Sequence, residues 1–211
     1  MMSIYTYPTI YFVIIIFGLF NYKKYRNNLF LNLFLYFLVY SFLTEVIGTY
    51  FGRVLLIKNN FIYNTWNIVN HLFYAFFFLS RVTTKNKRKL ITGLIIFYIL
   101  FSIINISFFK NYLNQVLINN IIIGSLLIVF VIMVYYTELL NSDAILSIKK
   151  SLFFWISIGV LLSNIILIPV WVFAEFFSYE GIYTYIILAS NIIMSLCFIT
   201  GFLISKKSHN N

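Results

Sequence analysis

The sequence predicts an all-α fold, a polytopic transmembrane bundle of seven helices with its N-terminus outside and its C-terminus in the cytoplasm. Three observations carry that expectation. Residues are 62% hydrophobic and only 9% charged, whereas a soluble domain carries roughly a quarter of its residues as charges. Seven apolar segments approach the length of about 20 residues that a bilayer crossing needs. Lysine and arginine then alternate between the linkers, as the positive-inside rule requires.

The first segment, residues 4–20, has no basic residue before it and no small-residue cleavage site after it, so it reads as a retained helix and not a signal peptide. The others are 29–51, 64–82, 90–108, 115–137, 152–174 and 183–204. Residues 1–211 make one domain, without a soluble module, coiled coil or internal repeat. Of the 15 basic residues, Lys23, Lys24, Arg26, Arg81, Lys85, Lys87, Arg88, Lys89, Lys149, Lys150, Lys206 and Lys207 fall on one side; Arg53, Lys58 and Lys110 fall on the other. That asymmetry orients the bundle. It also accounts for the net charge of +10 without nucleic acid, and the run Lys85–Lys89 reads as an orientation signal beside anionic head groups.

The stretch Asn64–Arg81 is organised differently from the rest. Asn67, Asn70, His71 and Tyr74 recur at spacings of three, four and seven residues, which places them on one helical face. Hydrocarbon offers such a stripe no partners, so it must face the bundle interior. Glu45, late in the second segment, is the sharpest single residue, because a carboxylate at bilayer depth costs about 2.5–3.5 kcal/mol. Segments two and three share a short loop, so Glu45 and His71 are expected at similar depth and within reach of each other. One reading is a proton-sharing or ligand-binding pair with Asn67 and Asn70 beside it; the other is a protonated Glu45 acting as helix glue.

Polarity is one-sided. Asn105, Asn119, Asn120 and Asn191 also fall toward the outer ends of their segments, and Asn164 near the middle of the sixth. Glu175 and Glu180 flank an outer loop without basic residues. Trp66, Trp155 and Trp171 lie near segment ends, where an aromatic belt belongs. Pro169 should kink the sixth segment, and one kink among seven argues for a mostly rigid bundle.

Several chemistries are excluded. Cys197 is the single cysteine, so no intrachain disulfide forms. Asp143 is the single aspartate, which rules out a two-aspartate intramembrane protease. Zinc-protease, nucleophile-elbow, P-loop and dinucleotide motifs do not occur, and no metal or other cofactor is expected. The topology resembles microbial rhodopsins, but the last segment lacks their retinal-bearing lysine; three-plus-one-plus-three sugar transporters have paired prolines that this chain lacks.

L-T-E-V-I-G at Leu43–Gly48, Y-N-x-x-N-I at Tyr63–Ile68, L-F-Y at Leu72–Tyr74, Y-Y-x-E-L-L at Tyr135–Leu140 and F-W-I-S-I-G at Phe154–Gly159 resemble a loose group of small multi-pass membrane proteins of AT-rich bacteria. The resemblance covers most of the chain and implies a membrane protein without assigned chemistry. Three functions are open from the sequence. One is an outward-facing sensor or binding module around Glu45, Asn67, Asn70, His71, Tyr74 and Asn191, signalling to a separate cytoplasmic or membrane protein. A second is an intramembrane enzyme on a lipid head group, as the lysoplasmalogenase family exemplifies, although that family has more acidic residues. A third is an accessory or effector protein, for example of an antiphage system. The bilayer is the one partner common to all three.

Overall fold

A computed structural model describes residues 6–109, 111–176 and 181–210. Among them are seven α-helices: α1 (Thr6–Phe20), α2 (Leu29–Thr49), α3 (Asn60–Leu79), α4 (Lys85–Ile104), α5 (Ile118–Leu140), α6 (Leu152–Phe176) and α7 (Ile182–Ile204). Short π-helical turns extend α2 through Tyr50–Val54 and α4 through Asn105–Phe109. No strand occurs among the described residues.

Five helical stretches are long and apolar enough to cross a membrane: Leu29–Val54, Lys85–Phe108, Ile118–Leu140, Leu152–Ala174 and Ile182–Ile204. These suffice for a multi-pass membrane protein. The other two helices differ for physical reasons. α1 has 15 residues and is therefore about 22 Å long, short of a hydrocarbon core of about 30 Å. α3 is the most two-faced of the seven, because the Asn and His stripe interrupts its apolar run.

Element boundaries depart from the sequence expectation where polar residues are good helix formers. Lys85–Lys89, expected in a linker, forms the first turns of α4; Lys and Arg have high helix propensity and keep their charges in water on long stems. α3 likewise begins at Asn60, four residues before the apolar signal. α6 continues through Pro169, whose missing N–H takes one hydrogen bond from the helix.

Packing closes six helices into a ring. α1 packs on α2, α2 on α3, α3 on α5, α5 on α6, α6 on α7, and α7 on α1. α4 stands outside this ring, against α3 and α5. Its outer face shows Ile96, Phe97, Leu100 and Ile103 more than half exposed, an apolar surface suited to lipid.

The basic linkers meet at one end of the ring. Lys24 Nζ donates to the carbonyls of Phe202 and Leu203 at 2.9 and 2.7 Å, Lys206 N donates to Lys150 O at 2.9 Å, and Asn210 Oδ1 accepts from Leu152 N at 2.9 Å. Glu138 accepts from Thr83 Oγ1 and Thr84 N, both at 3.1 Å, and pairs with Lys87 at 3.6 Å. That half of the ring is filled with aromatic side chains. Phe34, buried at the centre, meets Phe198 edge-on at 5.1 Å and Phe77 at 5.8 Å, and Phe77 meets Phe153 at 4.8 Å between ring centroids. These separations are typical of well-packed aromatic pairs.

Candidate functional site

At the opposite half the ring encloses a cavity of about 420 Å³. Its walls come from all six ring helices and from none of α4. Along α3 it reaches from Asn60 to Tyr74, about 21 Å at the helical rise. Tyr7, Val116 and Trp171 stand with Asn60 at the helix ends, while Phe37, Tyr74, Val160 and Met194 lie deepest, above the aromatic fill.

Each residue singled out from the sequence lines this space: Glu45 from α2, Asn67, Asn70, His71 and Tyr74 from α3, and Asn191 from α7. Helical spacing explains the α3 set. Glu45 and Asn191 join it because the closed ring brings α2 and α7 around the same space at that end.

The expected contact between Glu45 and His71 is not what the structure has. His71 is buried and turned toward α5 and α4: its Nε2 lies 3.4 Å from Ser125 Oγ and its Nδ1 3.3 Å from the Tyr98 hydroxyl. The cause is a close helix approach. Gly124 on α5 packs directly on the imidazole, and a Cβ at that position would sit 2.5 Å from His71 Cγ. α3 makes its largest interface with α5 and only a modest one with α2, so the imidazole is held on the α5 side.

Glu45 instead accepts from the Tyr63 hydroxyl at 3.4 Å, a long bond for an O–H donor. The phenol reaches it because α2 offers no side chain at Gly48, where a Cβ would be 2.7 Å from Tyr63 Oη. This is the one hydrogen bond of the carboxylate among the described residues, although a carboxylate has about four acceptor sites. The side-chain amides of Asn67 and Asn70 have no hydrogen bond among the described residues, and both are half-buried on the cavity wall. Asn164 and Asn191 each donate to their own helix, to Val160 O and Ile187 O at 2.8 Å, which leaves their oxygens available.

Other polar residues of the cavity half are used for construction. Asn64 is buried, donates to Tyr112 O and Gln115 O at 2.9 and 2.8 Å, and accepts from Leu117 N at 3.0 Å. It thereby fastens the segment that leads into α5. Asn105 donates to Asn120 between α4 and α5, away from the cavity. Ser163 and Ser190 join α6 to α7 at 2.9 Å.

The tryptophans need a correction. Trp66 and Trp171, expected only as an aromatic belt, both line the cavity, and Trp66 Nε1 also donates to Ser41 Oγ at 3.0 Å. Trp155 stays at the basic end, donating to Lys149 O at 2.9 Å. Sequence reasoning also passed over Tyr7, Tyr11, Tyr63 and Asn164 as wall residues; the phenols are scattered among 17 tyrosines, and no local pattern distinguishes these three. Lys110, Glu180 and the side chain of Glu175 lie outside the described residues.

Chemically, the wall offers one carboxylate, one imidazole held between neutral hydroxyls, amides with unused capacity and several aromatic faces. Among the described residues it has neither Lys nor Arg. No group of three or more His, Cys, Asp and Glu gathers among the described residues. No protein-family model, curated protein or solved structure matches the chain.

Proposed function

We propose that the chain is an outward-facing seven-helix binding module of the bacterial cytoplasmic membrane. It takes a small ligand into the ring cavity and communicates occupancy to a separate protein at its basic end. The carrying observation is the unused hydrogen-bonding capacity of Asn67, Asn70 and Glu45 on the wall of a cavity of about 420 Å³. Polar groups withdrawn from water are normally paired within the protein; here they are aimed at a space that a small molecule fits, since small-molecule sites run about 300–1,000 Å³.

Orientation follows from the basic linkers. Their excess belongs in the cytoplasm, so the cavity half belongs outside. In this reading α1 and α3 complete seven crossings, with α3 sheltered by its neighbours. An enzyme using Glu45 and His71 as an acid–base pair is less well supported, because His71 is hydrogen-bonded to Ser125 and Tyr98 and Glu45 to Tyr63.

Thiol accessibility tests the proposal. In a Cys197→Ser background, Asn70→Cys and Asn191→Cys should react with a membrane-impermeant reagent applied to spheroplasts. Ser151→Cys, at the basic end, should not react until the membrane is opened, and Lys58→Cys serves as the exposed outer control. Silence at positions 70 and 191 while position 58 labels would refute an outward-open cavity.

A further inference from the structure

We infer that the ligand of this cavity is a small organic cation, a primary amine or a quaternary ammonium, held by Glu45 among aromatic faces. The inference rests on the binding-module reading above and names the chemistry of its ligand.

Charge is the first ground. Among the described residues Glu45 is the one acidic side chain on the wall, and no lysine or arginine lines the cavity with it. Arg53, about two turns beyond Glu45 in the π-helical turn after α2, is exposed and does not line the space, although its charge reaches Tyr7 and Tyr63 on the wall. His71 is held by two hydroxyl groups, Ser125 and Tyr98, which set its orientation without supplying a charge. An anionic ligand would meet an acidic side chain and no cation among the described wall residues. A neutral ligand would leave that carboxylate with a single long bond to Tyr63. A cation supplies what the site lacks, because a carboxylate withdrawn from water is stabilised chiefly by a paired positive charge.

The aromatic lining is the second ground. Tyr7, Tyr11, Tyr63, Trp66, Tyr74 and Trp171 come from three different helices, α1, α3 and α6, to line one cavity. Tyrosine and tryptophan faces carry the negative side of the ring quadrupole and attract ammonium groups most strongly where water is excluded. The same surface would not repel a neutral hydrocarbon, so aromatic lining alone does not decide the class. Aromatic faces together with an uncompensated carboxylate do. The free amide oxygens of Asn67 and Asn70 add acceptors for an amine's N–H groups, which a quaternary ammonium would not use. Ethanolamine and choline therefore separate the two forms of the cation.

The experiment uses the full-length protein in a neutral maltoside detergent at constant chloride. Its thermal unfolding midpoint is followed against choline, ethanolamine and 3,3-dimethylbutan-1-ol, the uncharged carbon isostere of choline. A saturable rise is expected with at least one cation, with the isostere at least tenfold weaker. Glu45→Gln should weaken the cation at least tenfold and leave the isostere unchanged; should that variant not fold, the comparison of choline and ethanolamine with the isostere on the unaltered protein decides by itself. Equal saturable rises with choline and its isostere overturn the inference, as does the absence of a saturable rise with both cations. Should either occur while Asn70→Cys and Asn191→Cys label, the cation assignment falls and the binding module stands. If those positions are silent, both fall.

Discussion

The two halves of the ring are built from the same six helices, yet one is closed and the other open. At the basic end, Phe34, Phe77, Phe153, Phe198 and Phe202 are all at or below 1% exposure. Glycines let the backbones approach there: a Cβ at Gly201 would lie 2.6 Å from Trp155 Cβ, and one at Gly18 2.9 Å from Leu35 Cδ1. Toward the other end the same helices carry Glu45, Asn67, Asn70, Asn164 and Asn191 around a cavity of about 420 Å³. Small residues and interlocking aromatic rings close a membrane bundle by packing, since lipid supplies no hydrophobic drive between helices. Polar side chains of fixed length keep it apart unless they pair, and here several do not. The closed half therefore sets the helix arrangement that the open half inherits.

Five substitutions test that division. The largest effect belongs to the packed half: Phe34→Ala should cost about 3–5 kcal/mol, whereas Leu167→Ala, on the cavity wall, should cost no more than about 2 kcal/mol. Unfolding in mixed micelles measures both, and equal losses would erase the distinction between the halves. A middle-sized effect is expected where α5 seats His71. Gly124→Ala forces a methyl group against the imidazole and should cost about 1–3 kcal/mol by overpacking. Gly93→Ala on α4, with nothing near its added Cβ, should stabilise by up to about 1 kcal/mol through helix propensity; a neutral Gly124→Ala would mean that His71 is loosely held. The smallest is Lys24→Met. It removes the ammonium from the Phe202 and Leu203 carbonyls, the last turn of α7, and should cost about 0.5–1 kcal/mol. Faster amide exchange confined to that turn is the expected signature, and unchanged exchange would assign Lys24 to orientation alone.

Legibility followed the range of the signal. The α3 stripe was readable because helical periodicity is local: Asn67, Asn70, His71 and Tyr74 share a face whatever surrounds them. Glu45 and Asn191 could be placed at the same level by counting along alternating segments. What each side chain touches was not readable. The sequence paired His71 with Glu45 across a short loop, but the rotation of α3 depends on the fit of Gly124, 53 residues later in the chain. Trp66 and Trp171 read as interfacial anchors because position near a helix end is all the sequence shows, whereas their contact with the cavity depends on ring closure.

Taken alone, the sequence determined the helical class, the membrane setting, the gathering of basic linkers and the polar face of α3. Each follows from composition or from a period of a few residues. Tertiary structure decided that α4 stands outside a ring of six, that Glu45 is bonded to Tyr63 and His71 to Ser125 and Tyr98, and that Glu45, Asn67, Asn70, Asn164 and Asn191, from four helices, line one space. Those outcomes depend on how helices rotate and approach, which is set by shape matches between residues far apart in the chain that no local pattern records.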